Sequence, residues 1–244
     1  MTELILFGII TGFVSGFFGV GGGVVLVPML ITAGYLMKEA IAISIMQMVF
    51  SSIYGSFLNS KKAKGVFKDG IIIGIGGFVG GLQNSLVLSL VSNEALQYFF
   101  ILIIILSIIK IFVSPAEPEV EIKQQNKLIL FIVGFFVGII AMSIGVGGAI
   151  MLIPILVGFM KYPIKTATSL SLFFVIFSSI AGFTSLSLNG QMLFTEGLNV
   201  GLASLVGVYF GIKTKNATAV VSYKQAILIL NFIILLTMIY KTFL

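Results

Sequence analysis

The chain has 244 residues, of which 59% are hydrophobic and only 9% are charged, with a mean hydropathy of +1.21. In soluble domains roughly a quarter of the residues are charged. This chain therefore has more apolar surface than a water-soluble core can bury, and lipid is its expected solvent. It contains no cysteine and no histidine, which excludes disulfides, thiolate or imidazole metal sites and a Ser-His-Asp triad. We therefore expect no bound metal and no cofactor.

The net charge of +6 comes from fourteen lysines set against eight acidic residues, and there is no arginine. The lysines lie between apolar segments, so we interpret them as signals of membrane topology and not as a surface for nucleic acid. The N-terminus, MTELILFG, carries Glu3 and no basic region. We therefore expect the first apolar segment to be retained and not removed as a signal peptide.

Charged residues divide the chain into eight apolar segments, most of them near the ~20 residues that a membrane-spanning helix needs. In chain order the segments are 4–37, 40–60, 70–93, 95–109, 128–160, 166–195, 197–212 and 225–240. A polar linker at 114–127, SPAEPEVEIKQQNK, separates a first membrane repeat, 1–113, from a second, 128–244.

Two of these segments, 4–37 and 128–160, have 34 and 33 residues. As one straight helix each would be ~50 Å long, against a hydrocarbon core of ~30 Å. Each has a glycine cluster near its middle, GVGGG at 19–23 and GVGGA at 145–149, with a proline shortly after it. Because glycine is costly inside a helix, we predict a helix that enters the membrane, breaks at the glycines and turns.

The two halves of the chain resemble each other. A shift of 126 residues aligns 12–30 with 138–156, and eight of the nineteen positions are identical. A shift of 127 aligns FSSIYG at 50–55 with FSSIAG at 177–182, and it also aligns four later Phe and Gly positions. Three matches in the same order indicate a duplication, which is common among membrane transporters.

The lysines favour halves of opposite orientation. If all eight segments cross once, eight lysines lie on one side and six on the other. If the two long segments are re-entrant, each half crosses three times and twelve lysines share one side, which leaves only Lys38 and Lys241 opposite. Two full passes of each long segment would give the same sidedness. The positive-inside rule therefore predicts inverted repeats, a cytoplasmic linker and both termini outside the cytoplasm.

The glycine clusters have three possible interpretations at the level of sequence. A phosphate-binding loop fails, because Val24 and Val25 follow the glycines where a P-loop needs lysine and a hydroxyl. Close helix packing alone is a real alternative, since small residues four apart let helices approach. The third reading is a broken helix whose free N-terminus binds an anion near the middle of the membrane, and the repeat places two such helix ends opposite each other. On that reading the binding positions are Gly19, Gly21, Gly22, Gly23, Gly145, Gly147, Gly148 and Ala149.

Polar residues within the apolar segments give weaker support for a binding site. Ser44, Gln47 and Ser51 are spaced to share one helix face, and Ser171, Phe174 and Ser178 occupy the matching places of the second half. We expect further donors to the anion from Gln47, Ser51, Ser52, Ser178 and Ser179. Hydrogen bonds between helices, or from a serine to its own backbone, are the structural alternative. No titratable residue lies in the middle of a segment, which argues against a proton relay and against intramembrane catalysis.

The motif GxxSGxxGVGGGxxxVP, followed after four apolar segments by a linker and then by GVGGAxxxIP, resembles the TauE/SafE family of sulfite exporters. The resemblance covers nearly the whole chain. The second motif departs slightly, because Ala149 replaces the third glycine and Ser143 precedes the motif. It implies a multi-pass protein of the bacterial cytoplasmic membrane that exports sulfite or an organosulfonate. A different small anion such as a carboxylate, and a membrane scaffold that transports nothing, remain open. The expected partners are the anion and the lipid bilayer, and the oligomeric state is left open between monomer and homodimer.

Overall fold

The computed structural model describes residues 2–59, 67–113, 126–217 and 220–243, and within these ranges the protein is built from helices alone. The helices in chain order are α1 Thr2–Phe18, α2 Gly23–Thr32, α3 Met37–Asn59, α4 Phe67–Gly81, α5 Asn84–Leu90, α6 Asn93–Val113, α7 Lys127–Ser143, α8 Ala149–Gly158, α9 Ile164–Leu188, α10 Phe194–Ala217 and α11 Val220–Phe243. The predicted linker falls at 114–125 almost entirely outside the described residues, and its last residues begin α7, where Asn126 Oδ1 accepts a hydrogen bond from the Leu128 amide.

Among the described residues, six spans are long and apolar enough to cross a membrane: α3, α4 with α5, α6, α9, α10 and α11. The protein is thus a polytopic all-α membrane protein. Six is also the number that three crossings per half require, although the sidedness of the repeats stays a prediction. Outward faces of α6 and α11 expose Leu102, Leu106, Ile229 and Phe232, which suits contact with lipid tails and not with water.

The two long apolar segments are interrupted at their glycines, as the sequence predicts. Segment 4–37 forms α1 and α2, and segment 128–160 forms α7 and α8. Helices α2 and α8 have 10 residues each. A helix of that length rises only ~15 Å, half of the ~30 Å hydrocarbon core, so neither can cross the membrane.

Segment 70–93 is also divided, into α4 and α5, which the sequence pattern did not predict. Helix α9 stabilises this interruption through one side chain. The Ser185 hydroxyl donates to the Leu82 carbonyl at 2.9 Å and accepts from the Ser85 amide at 3.1 Å. These bonds satisfy backbone groups that a break in the helix would otherwise leave unpaired.

Helices from the two halves pack against each other in matching pairs. Helix α1 lies on α10 and α7 lies on α4, while α3 packs on α10 and α9 packs on α4. Glycines permit the closest of these approaches. A β-carbon on Gly12 would clash with the Ser204 carbonyl, and one on Gly138 would clash with the Gly77 carbonyl. Positions 77 and 204 are themselves equivalent in the repeat, so the same close contact between the halves occurs twice.

Helices α3 and α9 lie in contact at the centre of the molecule. The first half of α3 is almost completely enclosed, and its exposed fraction is 0% at Ile41, Ile43 and Ile45. Helix α2 packs on α3 and helix α8 packs on α9. The core of the protein therefore places the two half-helices, with their glycine ends, against its two central helices.

Candidate functional site

The first glycine motif, residues 19–23, joins α1 to α2 through a left-handed turn. Gly19, Gly21 and Gly22 have φ values of 69°, 81° and 83°. Gly22 is the N-cap residue of α2, and no side chain caps this helix. Residues other than glycine are strained at such φ values, which explains why the break needs several glycines close together.

The second glycine motif, residues 145–149, repeats this geometry. Gly145, Gly147 and Gly148 have φ values of 69°, 76° and 79°. Gly148 is the N-cap of α8, again without a side-chain cap, and Ala149 is the first residue of the helix. The first backbone N–H groups of α2 and α8 have no partner within their own helix, and the helix dipole makes these ends partially positive.

The two motifs are in direct contact, which the sequence predicted only as a general opposition of helix ends. A β-carbon on Gly23 would clash with the Gly145 carbonyl, and one on Gly147 would lie 3.0 Å from the Val20 carbonyl. All residues of both motifs are buried. The structure therefore holds the two helix ends together and closed from solvent.

Two apolar side chains that the sequence reasoning missed lie between the motifs. A β-carbon on Gly21 would lie 3.2 Å from Met48 Sδ and 3.0 Å from Val175 Cγ1. A β-carbon on Gly147 would lie 2.6 Å and 3.5 Å from the same two atoms. Met48 and Val175 are equivalent positions under the 127-residue shift, and this equivalence was the signal that could have identified them.

Gln47 lies over the end of α2, where the sequence analysis had placed a donor. Added to Gly22, a β-carbon would lie 2.8 Å from Gln47 Nε2 and 2.9 Å from Oε1. The side chain is 0% exposed, and neither of its polar atoms has a hydrogen-bond partner among the described residues. Leaving a buried amide unpaired costs about 1–3 kcal/mol for each group, so this arrangement is unfavourable unless something binds there.

The end of α8 has different surroundings. At Gly148 the neighbouring side chain is Phe174, whose ring a β-carbon would strike, and Ala141 lies 3.2 Å from the same point. Phe174 and Ala141 take the places that Gln47 and Ser15 hold in the first half. The Ser15 hydroxyl is buried and, within the described part of the chain, without a partner. The N-cap glycine of α2 thus has a polar side chain over it, whereas the N-cap glycine of α8 has apolar ones.

The predicted serines separate into two groups. The Ser51 hydroxyl donates to the Gly21 carbonyl at 3.2 Å, and Ser44, from the same helix, donates to the Gly145 carbonyl at 2.9 Å. Ser178 and Ser179 instead donate to carbonyls of their own helix, those of Phe174 and Ile176.

Ser52 is fully buried, and its hydroxyl finds no partner in the described ranges. The structure therefore brings Ser51 to a motif, ties Ser178 and Ser179 to the α9 backbone and leaves Ser52 with an unused donor.

Electrostatics at the motifs come from the backbone. The one charged side chain that is buried among the described residues is Lys215, at the far end of α10. Within the same residues no group of histidine, cysteine or acidic side chains could hold a metal ion. The site offers a helix N-terminus, an amide and hydroxyls, which together suit a small anion.

The family described as sulfite exporter TauE/SafE matches residues 4–238. A probable membrane transporter protein of Bacillus subtilis is 26% identical over 238 residues, covering 85% of this chain and 84% of the relative. A probable membrane transporter protein of Methanocaldococcus jannaschii is 31% identical over 215 residues, covering 83% of this chain and 77% of the relative. The broken helices, the six spans and this match over nearly the full length agree, and the chain belongs to the TauE/SafE family of membrane transporters.

Proposed function

We propose that the protein exports a small sulfur-containing anion, sulfite or an organosulfonate, and that the anion binds between the ends of α2 and α8 near the middle of the bilayer. One observation carries this proposal: Gln47, fully buried and unpaired among the described residues, lies directly over the N-cap of α2. A helix end alone is common. A helix end with an unpaired amide over it is a built polar site in a region where every unpaired group is costly.

The anion would be held by groups that carry no net charge. The N–H groups at the start of α2 point toward the motif, and the helix dipole contributes roughly half a positive charge there. Gln47 Nε2, which lies at the N-cap of α2, supplies a further donor. Such a site binds an anion without a lysine, and release on either side of the membrane then needs no ion pair to be broken.

Movement through the site requires the two glycine motifs to separate. They touch at Gly23 and Gly145, and Met48 and Val175 fill the space between them. The structure is therefore an occluded state in our mechanism. Opening toward either face would move one half-helix, α2 or α8, away from the other, while the contacts among the long helices stay in place. This is alternating access between repeats.

The chemical class of the substrate rests on the family description and on the donor-rich character of the site. The similar proteins of B. subtilis and M. jannaschii are named only as probable transporters, so they give no substrate. We propose that the protein acts as a transporter and not as an enzyme, in a bacterial cytoplasmic membrane, with both termini outside. Its partners are then the anion and the lipid bilayer.

Flux into proteoliposomes tests this proposal. Purified protein would be reconstituted and offered sulfite, sulfate, thiosulfate, a small sulfonate and a carboxylate, at several membrane potentials. We expect saturable flux of a sulfur oxyanion that follows the potential without a proton or sodium gradient. Preferred flux of the carboxylate would change the substrate class, and an inserted protein that moves none of these anions would support a scaffold role.

A further inference from the structure

The unpaired atoms of Gln47 include an acceptor as well as a donor. The amide group offers N–H donors from Nε2, but Oε1 can only accept a hydrogen bond. Both atoms lack a partner among the described residues, so the conclusion does not depend on which way round the amide is placed. An oxyanion without hydrogen would satisfy the N–H groups and leave Oε1 buried and unpaired.

Charge restricts the ligand further. Within the described residues no lysine or other cation lies at the motifs, and the end of α8 is covered by the ring of Phe174. One helix end supplies roughly half a positive charge. Taking a dianion from water into such a site would cost far more than taking a monoanion, because the desolvation energy rises steeply with charge.

We infer that the species bound at Gln47 is a monoanion that carries its own hydrogen-bond donor beside its acceptor oxygens. This inference rests on the proposed function, because it assumes that an anion binds at the end of α2. Hydrogensulfite, sulfamate and small sulfonates with a hydroxyl group belong to this class. Sulfate, fully deprotonated sulfite and simple alkylsulfonates do not.

Sulfamate and methanesulfonate form a matched pair for the test. They have the same charge and nearly the same shape, but only sulfamate has N–H donors. Binding to the purified protein would be measured by thermal stabilisation and by calorimetry. We expect sulfamate to bind roughly tenfold more tightly, the usual consequence of one satisfied polar group, and sulfate to bind more weakly than either.

The Gln47→Leu variant is the control, since it removes both amide atoms at similar volume. It should bind the two anions equally. Equal binding of sulfamate and methanesulfonate to the wild-type protein would overturn the inference while leaving an anion site intact. Absence of binding by any anion, together with absence of flux, would instead remove the proposed function itself.

A second, independent observation concerns a tyrosine and an acidic residue that the repeat places once at each membrane face. The Tyr162 hydroxyl, on the loop between α8 and α9, donates to Asp69 Oδ2 of α4 at 2.6 Å, and the Tyr162 side chain is fully buried. The 127-residue shift places Tyr35 and Glu196 at the equivalent positions of the other half. The lysine pattern predicts that Tyr162 and Asp69 lie at the cytoplasmic face and that Tyr35 and Glu196 lie at the outer one.

Among the described residues the second pair forms no hydrogen bond, and Tyr35 is only half-buried. A cavity of about 380 Å³ opens beside Tyr35 and is also lined by Glu3 and Glu39. Burial and the bond to Asp69 raise the pKa of Tyr162 well above its usual value, so its hydroxyl keeps the proton that the bond requires.

The geometry points to a pair of alternating latches, one at each membrane face, in which the Tyr162–Asp69 latch is closed here and the Tyr35–Glu196 latch is open. A closed latch ties the α8–α9 loop to α4 and so holds α8 in place. Exchange of the closed and open latches would accompany exchange of access between the two faces. The equivalence of the four residues in the repeat is what makes such an exchange possible.

Cysteine labelling tests the latches, because the chain has no cysteine of its own. Ser171→Cys reports on a fully buried position of α9, and Ser44→Cys reports on the equivalent position of α3. A membrane-impermeant maleimide would be applied to each face of the membrane in turn. We expect Tyr162→Phe to raise labelling at position 171 roughly tenfold when the maleimide is applied to the face that carries Tyr162 and Asp69. A tenfold change is the usual effect of losing a hydrogen bond to a charged group.

Tyr35→Phe is the matched control and should leave labelling at position 44 unchanged, since no bond is lost. Asp69→Asn keeps an acceptor for the tyrosine and should raise labelling at 171 by a smaller factor. It also decides the matter if Tyr162→Phe does not fold. Unchanged labelling at 171 in both variants, or an equal rise at 44 in Tyr35→Phe, would overturn the latch mechanism.

Discussion

Gln47 and Phe174 occupy equivalent positions in the two halves of the protein, yet they present opposite chemistry to the two helix ends. Gln47 places an unpaired amide over Gly22, whereas Phe174 places an aromatic ring over Gly148. The backbone around the two glycines is almost the same, with φ values of 83° and 79°. The two halves therefore share the broken helix, whereas only the first half has a polar side chain over the helix end.

The first prediction concerns this amide. Gln47→Leu should abolish transport or reduce it severely, because the donor and acceptor over α2 are lost. The same variant should be more stable than the wild-type protein in the absence of substrate, since a buried unpaired amide costs about 1–3 kcal/mol per group. Flux and thermal unfolding of the purified protein measure the two effects. A variant that is less stable and still transports would show that Gln47 is a packing residue.

The second prediction concerns the N-cap glycines. Gly22→Val and Gly148→Val should each abolish transport while the protein still inserts, because a β-carbon would meet the Gln47 amide at 2.8 Å or strike the Phe174 ring. Gly34→Ala is the control, since Gly34 has a φ of 97° and no neighbour within 4 Å of an added β-carbon. It shares the backbone strain of about 1 kcal/mol or more without the contact. Normal flux in either valine variant would refute the close-approach argument.

The third prediction compares two equivalent serines. Ser44 donates across the interface to the Gly145 carbonyl at 2.9 Å, and Ser171 donates to the Ala167 carbonyl of its own helix at 2.7 Å. Ser44→Ala should lower the free energy of unfolding by about 1 kcal/mol, because a buried carbonyl of the second motif loses its partner. Ser171→Ala should change it by a few tenths, because the helix bond to that carbonyl remains. Equal effects would mean that Ser44 does not hold the second motif in place.

The fourth prediction concerns orientation in the membrane. A reporter enzyme that is active only in the cytoplasm should be inactive when fused after Leu244, and active when inserted in the lysine-rich stretch at 61–64. This prediction follows from the positive-inside rule, because inverted halves place twelve lysines on one side of the membrane. Activity of the C-terminal fusion would contradict inverted repeats and would require the eight segments to be counted again.

Much of the fold was predictable because the signals are local. Apolar runs of ~20 residues give the spans, and four closely spaced glycines give the breaks at 19–23, since both depend on residues that are neighbours in sequence. The division between α4 and α5 was missed for the opposite reason. It depends on the Ser185 hydroxyl, which lies about a hundred residues away and bonds both Leu82 and Ser85.

The candidate site was likewise predictable in part from the sequence. The glycine motifs and Gln47 were proposed from pattern and from the cost of a polar group in lipid, and the structure places Gln47 beside Gly22. Ser178 and Ser179 were also assigned to the anion, but in the structure both donate to carbonyls of their own helix. A serine can bond its own backbone or a neighbour with similar ease, so composition cannot distinguish the two outcomes.

The sequence by itself determined the solvent, the duplication and the places where two helices must break, because hydrophobicity and backbone propensity are properties of short stretches. Only the tertiary structure decided that the two broken ends touch, and that Met48 and Val175 pack against both of them. It also decided that the Gln47 amide lies unpaired over one end and that Tyr162 reaches Asp69. These contacts join residues from helices far apart in the chain, and their geometry is set by how closely glycine lets those helices pack.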